Sequence, residues 1–295
     1  YHAEGECDMN RVLVSPNPYR DKSFQYALEA ERILNGVGIQ SRICLPFGID
    51  KNIEYPKNIQ FFNLENSMKT AQLLICFGGD GTILHAAKLA AENQVPILGV
   101  NLGKVGFMAE LEVGELHLLE RLADDAYTEE TRMMMEVSVE RGGKPIFSDT
   151  ALNDAVITKG AVARVIQMNV MCDGVDACDI SGDGVIIATP TGSTAYSMAA
   201  GGPIVEPTAR NMIITPICAH ALQAKSIVLS NERTVTVRIG KIGRRNAYLS
   251  VDGGKALRLE AGDLITVRGK RHGIQLIRLK NTSFYERINQ KFRMR

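Results

Sequence analysis

The chain has 295 residues, of which 45% are apolar and 23% charged, and its formal net charge is +1 at pH 7. That near-neutral balance excludes the broad basic field of a nucleic-acid or anionic-lipid binder. No apolar run approaches the roughly 18–20 residues that a membrane-spanning helix needs, and the length suffices for two domains with separate cores.

In chain order, the first part alternates strand-like and helix-like segments. Arg11–Val14 is a short β-branched run, and Phe24, Ala27, Leu28, Glu31 and Leu34 then fall on helical spacing that Gly36 and Gly38 stop. Ile39–Leu45, Leu73–Phe77 and Ile97–Val100 read as further strands, with helices over Ile83–Ala91 and Glu115–Leu122. Such β-α-β alternation predicts a parallel sheet covered on both faces, with ligands beyond the C-terminal strand ends.

From about Met133 the texture changes. Met135–Glu140, Ile146–Ser148, Ala155–Thr158, Arg164–Met171, Val185–Ala188, Ile227–Leu229, Thr234–Ile239, Ala247–Val251, Leu264–Gly269 and Ile274–Leu279 are short runs separated by turn signals. Arg141-Gly-Gly-Lys144, Asp252-Gly253-Gly254 and Gly262-Asp263 are hairpin or turn material. The fold class expected is therefore α/β plus all-β: an N-terminal α/β domain over 10–130 and a β-rich, sandwich-like domain over 131–279. Ser193–Ala200 reads as a helical interruption closed by Gly201-Gly202-Pro203, and Phe284–Phe292 as a terminal helix.

The six cysteines are scattered with no Cys-x-x-Cys pair, and four lie in apolar or strand-like surroundings. That suits reduced thiols, and Tyr1–Asn10 lacks the layout of a signal peptide, so a cytoplasmic protein is expected. Cys172 and Cys178 flank three aspartates without the spacing of a common zinc site, and a hairpin turn at Asp173-Gly174 is the preferred reading. No metal ligand is assigned.

Residues 78–82 read Gly-Gly-Asp-Gly-Thr, between the Leu73–Phe77 strand and the next helix. Gly78, Gly79 and Gly81, with Thr82, suit a concave anion cradle of backbone N–H groups at a helix N-terminus. An acid in that cradle repels phosphate, but Asp80 makes chemical sense as the base that deprotonates a hydroxyl about to be phosphorylated. Taken alone, the block also fits a glycine-rich turn with an Asp capping the helix. It is not a Walker loop, since no Lys-Ser or Lys-Thr follows at the required spacing. Arg20 and Lys22 are equally readable as partners of a triphosphate or as solvated loop charges.

A second block runs Asp183-Gly184, then Val185–Ala188, then Thr189-Pro-Thr-Gly-Ser-Thr-Ala-Tyr196, then Gly201-Gly202-Pro203. Its hydroxyls and tyrosine offer donors and a stacking ring to a flat polar ligand such as a nucleotide, or form a Ser/Thr-rich surface loop. A third block, Leu152-Asn153-Asp154-Ala155, sets an amide beside a carboxylate, able to read ribose hydroxyls or an adenine edge, or else to form an Asx turn.

These three blocks in this order closely resemble the NAD kinase family. The resemblance extends to Asn101–Phe107, Pro216–His220, Asp252-Gly253 and Ser283–Ile288, nearly the whole chain from Arg11. It implies an α/β domain to which the tail 280–295 returns, and a β-rich dinucleotide-binding domain. The implied reaction moves the terminal phosphoryl group of ATP, or of polyphosphate, to the 2′-hydroxyl of the adenosine ribose of NAD, with Mg²⁺. The implied assembly is a homodimer or homotetramer. By position, Asp80 corresponds to the general base and Gly81 to the phosphate loop. Asn153 and Asp154 correspond to the adenosine- and ribose-holding pair. Asp183, Thr194, Ala195, Tyr196, Ser197 and Ala199 correspond to the lining of the NAD site. His85, Phe107, Arg164, Ser181 and Cys218 fall where relatives touch the dinucleotide. Ala199, Cys218, Gly254 and Ser181 depart from the commoner serine, alanine, glutamine and arginine. Two alternatives share parts of the pattern: a lipid or sphingoid kinase, which shares the glycine-Asp block, and a non-catalytic dinucleotide sensor.

Overall fold

Buried apolar strands with helices between them build an α/β unit from residues 1–131 and 274–295. The computed structural model describes residues 9–46, 52–57, 59–103, 106–160, 165–219, 225–242 and 246–293. In the first unit, β1 (Val12–Ser15), α1 (Gln25–Gly36), β2 (Ser41–Leu45), β3 (Phe62–Asn63), α2 (Leu64–Met68), β4 (Leu73–Gly78), α3 (Asp80–Glu92), β5 (Ile97–Asn101), β6 (Leu111–Glu112) and β7 (Thr128–Arg132) follow one another. Every residue of β1, β4 and β5 is buried, as strands covered on both faces must be. Helix α1 is started by the Asp21 carboxylate, which accepts the N–H groups of Tyr26 and Ala27 at 3.2 and 3.1 Å. Its residues Ala27, Ala30 and Leu34 face the core.

The helix expected over Glu115–Leu122 is a 3-10 helix, Val113–Asp124, burying Leu116, Leu119 and Leu122. Three-residue spacing puts these leucines in one row only when the turn holds three residues, which explains the tighter form.

The second unit spans residues 132–273. Its elements are β8 (Met135–Arg141), β9 (Lys144–Ala151), β10 (Asp154–Lys159), β11 (Ile166–Cys172), β12 (Val175–Gly182), β13 (Gly184–Ala188), α4 (Tyr196–Ala199), β14 (Asn211–Ile217), β15 (Ile227–Ser230), β16 (Thr234–Ile239), β17 (Ala247–Val251), β18 (Leu257–Leu259) and β19 (Leu264–Gly269). They form two six-stranded sheets, ordered β15-β14-β13-β10-β17-β18 and β12-β11-β16-β19-β8-β9. Val137 and Val139, Ala155 and Ile157, Met168 and Val170, and Val185 and Ile187 alternate into one shared core, the inner faces of a sandwich. The intervening Val156, Ile186 and Ala188 face the other way and pack with Ile213 and Ile217, against Ala200 and Val205. The turns at Gly142-Gly143, Asp173-Gly174 and Asp252-Gly253 all carry paired positive φ angles; the first two are two-residue hairpin loops, closed by the pairs Arg141–Lys144 and Cys172–Val175.

The chain then returns to the first unit through β20 (Ile274–Arg278) and α5 (Phe284–Arg293). The first sheet runs β3-β2-β1-β4-β5-β20-β7, with β6 beside β5, and β20 is parallel to β5. Ile274–Leu279 thus differs from its expected place among the β-rich runs. Ile274, Leu276, Ile277 and Arg278 are all buried, as suits a parallel sheet covered on both faces. The strands β12 and β14 were not legible as apolar alternation. The first lies at a sheet edge with its N-terminal half exposed. Helix α5 opens on a reciprocal cap: Glu286 Oε2 accepts the Ser283 N–H at 2.7 Å, and Ser283 Oγ accepts the Glu286 N–H at 3.2 Å. Among the described residues, no helix is long and apolar enough to cross a membrane.

Candidate active site

Gly79 is the N-cap of α3 and Asp80 its first helical residue. A carboxylate in the first helical turn is favoured by the helix dipole, but here it is also held from outside the helix. Asp80 Oδ2 accepts the Phe107 N–H at 2.8 Å and Oδ1 accepts the Met108 N–H at 3.0 Å. Two backbone donors engage one lone pair on each oxygen and leave the remaining lone pairs for another proton or ligand. Gly106 makes this possible, because a Cβ there would overlap the carboxylate. The Phe107 ring is buried; Lys291 Nζ lies 3.9 Å from its centroid and the Phe284 ring 6.3 Å away.

Arg20 brings positive charge to the same loop. Its Nη1 lies 3.9 and 3.5 Å from where Cβ atoms on Gly79 and Gly103 would stand. A cavity of about 670 Å³ opens at the C-terminal ends of β1 and β4, lined by Ser15, Asn17, Gly81, Thr82 and His85. That is where ligands of open α/β sheets bind. The first-unit residues Gly78, Gly79, Asp80, Gly81, Thr82, His85 and Phe107 are thus gathered around the start of α3. Arg164 lies outside the described residues.

In the second unit, the Asp252 carboxylate accepts three successive N–H groups: Leu152 at 2.7 Å, Asn153 at 2.8 Å and Asp154 at 3.0 Å. The Thr189 hydroxyl donates to the Leu152 carbonyl and accepts the Gly192 N–H at 3.1 Å. Gly192 lies against the Asn153 carbonyl so closely that a Cβ would overlap it. The Asn153-Asp154 corner and the Thr189–Tyr196 loop are therefore one assembly. Asp154 is buried, and loss of solvent, reinforced by the neighbouring Asp252 charge, pushes its carboxyl up to about 7. Burial also raises Asp252, opposed by the three N–H groups that it accepts.

The loop's hydroxyls divide by role. Ser193 Oγ donates to the Pro190 carbonyl at 2.7 Å and accepts the Val205 N–H at 3.0 Å. Ser197 Oγ is buried against Thr215 Oγ1 at 2.9 Å, so the geometry turns it inward rather than toward a dinucleotide. Tyr196 is 44% exposed; Ala199 is exposed, and Thr194 and Ala195 are half-buried.

Asp183, Ser181 and Cys218 stand elsewhere. The β10–β13 register pairs Asp154 with Ala188 and Thr158 with Gly184, which puts Asp183 at the far end of β13, roughly 17 Å from the Thr189 end. There Asp183 Oδ1 meets Lys159 Nζ at 2.6 Å, and the Asp183 N–H donates to the Ile217 carbonyl, beside Cys218. The family resemblance assigns Asp183 and the Thr194–Ala199 stretch to one dinucleotide; within the chain, β13 lies between them.

Sequence reasoning missed the partners of Asp80 and the reach of Asp252. The sole local signal for the latter is the Asp-Gly turn, which gives no hint that its side chain caps a corner about a hundred residues earlier. A fuller signal was available at Glu110, a carboxylate inside the apolar run Phe107–Leu111, which is buried in the structure.

Two family models match: the ATP-NAD kinase N-terminal domain over residues 46–128 and the ATP-NAD kinase C-terminal domain over residues 152–279. A NAD kinase of Acetivibrio thermocellus is 34% identical over 284 residues, 96% of this chain and 97% of that protein. The crystal structure of a NAD kinase from Archaeoglobus fulgidus in complex with ATP superposes with a TM-score of 0.71 at 25% identity, covering 96% of this chain and 98% of the other. That of yeast NADH kinase complexed with NADH shares the fold, with a TM-score of 0.81 at 24% identity over 98% of this chain and 90% of the other. With both domain models matched in order and a curated relative aligned along almost its full length, this chain belongs to the NAD kinase family of phosphotransferases.

Proposed function

We propose that this chain transfers the terminal phosphoryl group of ATP to the 2′-hydroxyl of the adenosine ribose of NAD, with Asp80 as the proton acceptor. The observation that carries the assignment is the setting of Asp80. It is a carboxylate at a helix start among glycines, beside Arg20 and a cavity, fixed by two N–H groups yet with lone pairs to spare.

Phosphoryl transfer asks chiefly for alignment and for stabilisation of spread negative charge. The N–H groups at the start of α3 and the Arg20 guanidinium supply donors and positive charge for a triphosphate. The 2′-oxygen bonds to the γ-phosphorus while the bond to the β-γ bridging oxygen breaks, ADP leaves, and the 2′-hydroxyl proton passes to Asp80. Among the described residues no three His, Cys, Asp or Glu side chains cluster as a metal cage. Mg²⁺ would enter on the ATP phosphates, with Asp80 as the nearby carboxylate, the usual mode for this ion. When bound, the ion would neutralise charge on the phosphate oxygens.

For the dinucleotide, Asn153 and Asp154 are assigned to the adenosine ribose and Tyr196 to a ring face. What supports this is the assembled corner of residues 152–154 and 189–192, with an exposed tyrosine beside it. Polyphosphate as a second donor and a dimeric or tetrameric assembly belong to the same reading. The exposed Val175 and Val228 on the edge strands β12 and β15 support assembly through the β-rich unit.

The test is NADP formation from NAD with ATP and Mg²⁺, repeated with polyphosphate, with NADH and with diacylglycerol as acceptor. Asp80→Asn should retain the fold and dinucleotide binding while turnover falls by about 10²–10⁴. Turnover at the wild-type level in that variant would remove Asp80 from the role.

A further inference from the structure

The peptide that holds Asp80 is itself held, and by the far end of the chain. Phe107 and Met108 present their N–H groups to the carboxylate, while the carbonyls of the same stretch point to two arginines. Arg287 Nη1 donates to the Ala109 carbonyl at 2.8 Å and, more weakly, to that of Phe107 at 3.5 Å. Arg278 Nη1 donates to the Met108 carbonyl at 3.0 Å.

Between the two arginines stands Glu110, its side chain wholly buried. Its Oε2 accepts Arg287 Nη2 at 2.7 Å and Arg278 Nη1 at 3.1 Å, and its Oε1 accepts the N–H groups of Leu279 and Lys280 at 3.0 and 2.7 Å. These interactions run between the 107–110 stretch and the β20–α5 segment, 168 to 180 positions apart in sequence, and Arg278 Nη2 also donates to Glu130 Oε1 at 3.0 Å. Phe284, Arg287 and Lys291 fall at i, i+3 and i+7 of α5, so one face of that helix meets Phe107 and its neighbours.

A buried ion cluster is weak evidence for stability alone, because desolvation offsets most of the attraction. It does fix geometry, since a planar guanidinium with two acceptors at set angles tolerates little displacement. Here the fixed object is the peptide that carries both donors to Asp80.

We propose that Arg287, acting through Glu110 and the 107–110 backbone, is a positioning residue for the Asp80 carboxylate, so that the C-terminal helix sets the alignment of the phosphoryl-transfer base. The proposal rests on the reading of Asp80 as proton acceptor.

Arg287→Lys keeps the charge but cannot fork to Glu110 and a carbonyl together, and Arg287→Met removes the charge while keeping much of the bulk. Should Arg287→Met fail to fold, Arg287→Lys answers the question by itself. In full-length protein, kcat for NADP formation should fall by about 10–10²-fold, the scale of a small misplacement of a reacting group, while KM for NAD changes less than about threefold. Amide hydrogen exchange at Phe107 and Met108 should speed up in both variants. Combined with Asp80→Asn, the Arg287 substitution should cause no further loss, because the group it positions is no longer functional.

An undiminished kcat, an equal loss in the presence and absence of Asp80, or unchanged exchange at Phe107 and Met108 would each overturn the proposal. If Asp80→Asn by itself keeps full turnover, the base assignment fails. In that event the exchange measurement still decides whether Arg287 holds the peptide.

Discussion

Gly106 and Asp80 approach so closely that a methyl group on the glycine would overlap the carboxylate, and the next two N–H groups in the chain are the ones that hold it. Gly106→Ala therefore has to push Asp80 aside or pull the Phe107 and Met108 donors away. The expected result is a kcat reduced by about 10–10²-fold with NAD binding preserved. Steady-state kinetics with calorimetric titration of NAD check it, and an unaltered kcat would mean that Asp80 tolerates displacement.

Asp154 gives a pH signature. Its folded carboxyl is raised to about 7 by burial and by Asp252, against an ordinary value of 3.8. The folded state thus binds the proton more tightly than the unfolded chain does. Stability is unaffected by this group below about pH 4, falls as pH rises toward 7, and is level above that. Asp154→Asn, neutral at every pH, should match the wild type near pH 4 and exceed it at pH 8 by about 2–4 kcal/mol. Denaturant unfolding at both pH values measures this, and a stability difference that does not change with pH would show that Asp154 ionises without cost.

Tyr196 and Ser197 are sequence neighbours with opposite expected effects. Tyr196 is 44% exposed, so Tyr196→Ala should leave melting nearly unchanged and weaken NAD binding by roughly 1–3 kcal/mol, the scale of a base-stacking contact. Ser197 is buried against Thr215, so Ser197→Ala should lower stability by about 1–2 kcal/mol with NAD affinity intact. Calorimetry and thermal melting on both variants separate the two roles; unchanged affinity in the tyrosine variant would take its ring out of the site.

Much of the architecture was legible because it rests on local periodicity. The short apolar runs Leu73–Phe77 and Ile97–Val100, alternating with helical segments, read as strands of a covered parallel sheet, and they are β4 and β5. The paired turn residues Arg141–Lys144 and Asp173-Gly174 marked hairpins through their backbone preferences alone. The Gly-Gly-Asp-Gly-Thr block marked Asp80 as a candidate acid, its composition fitting either a helix-capping turn or a phosphate cradle that carries a base.

Side-chain partnership across long stretches of chain was not legible. Nothing near Asp80 in sequence indicates that residues 107 and 108 hold it, or that Arg278 and Arg287 hold those residues in turn. By itself the sequence determined which segments bury their side chains and where the chemically active groups stand along the chain, since propensity and periodicity act between near neighbours. Only the tertiary structure decided which of those groups meet. Hydrogen bonds form by distance in space, and folding brings together residues whose separation along the chain carries no signal.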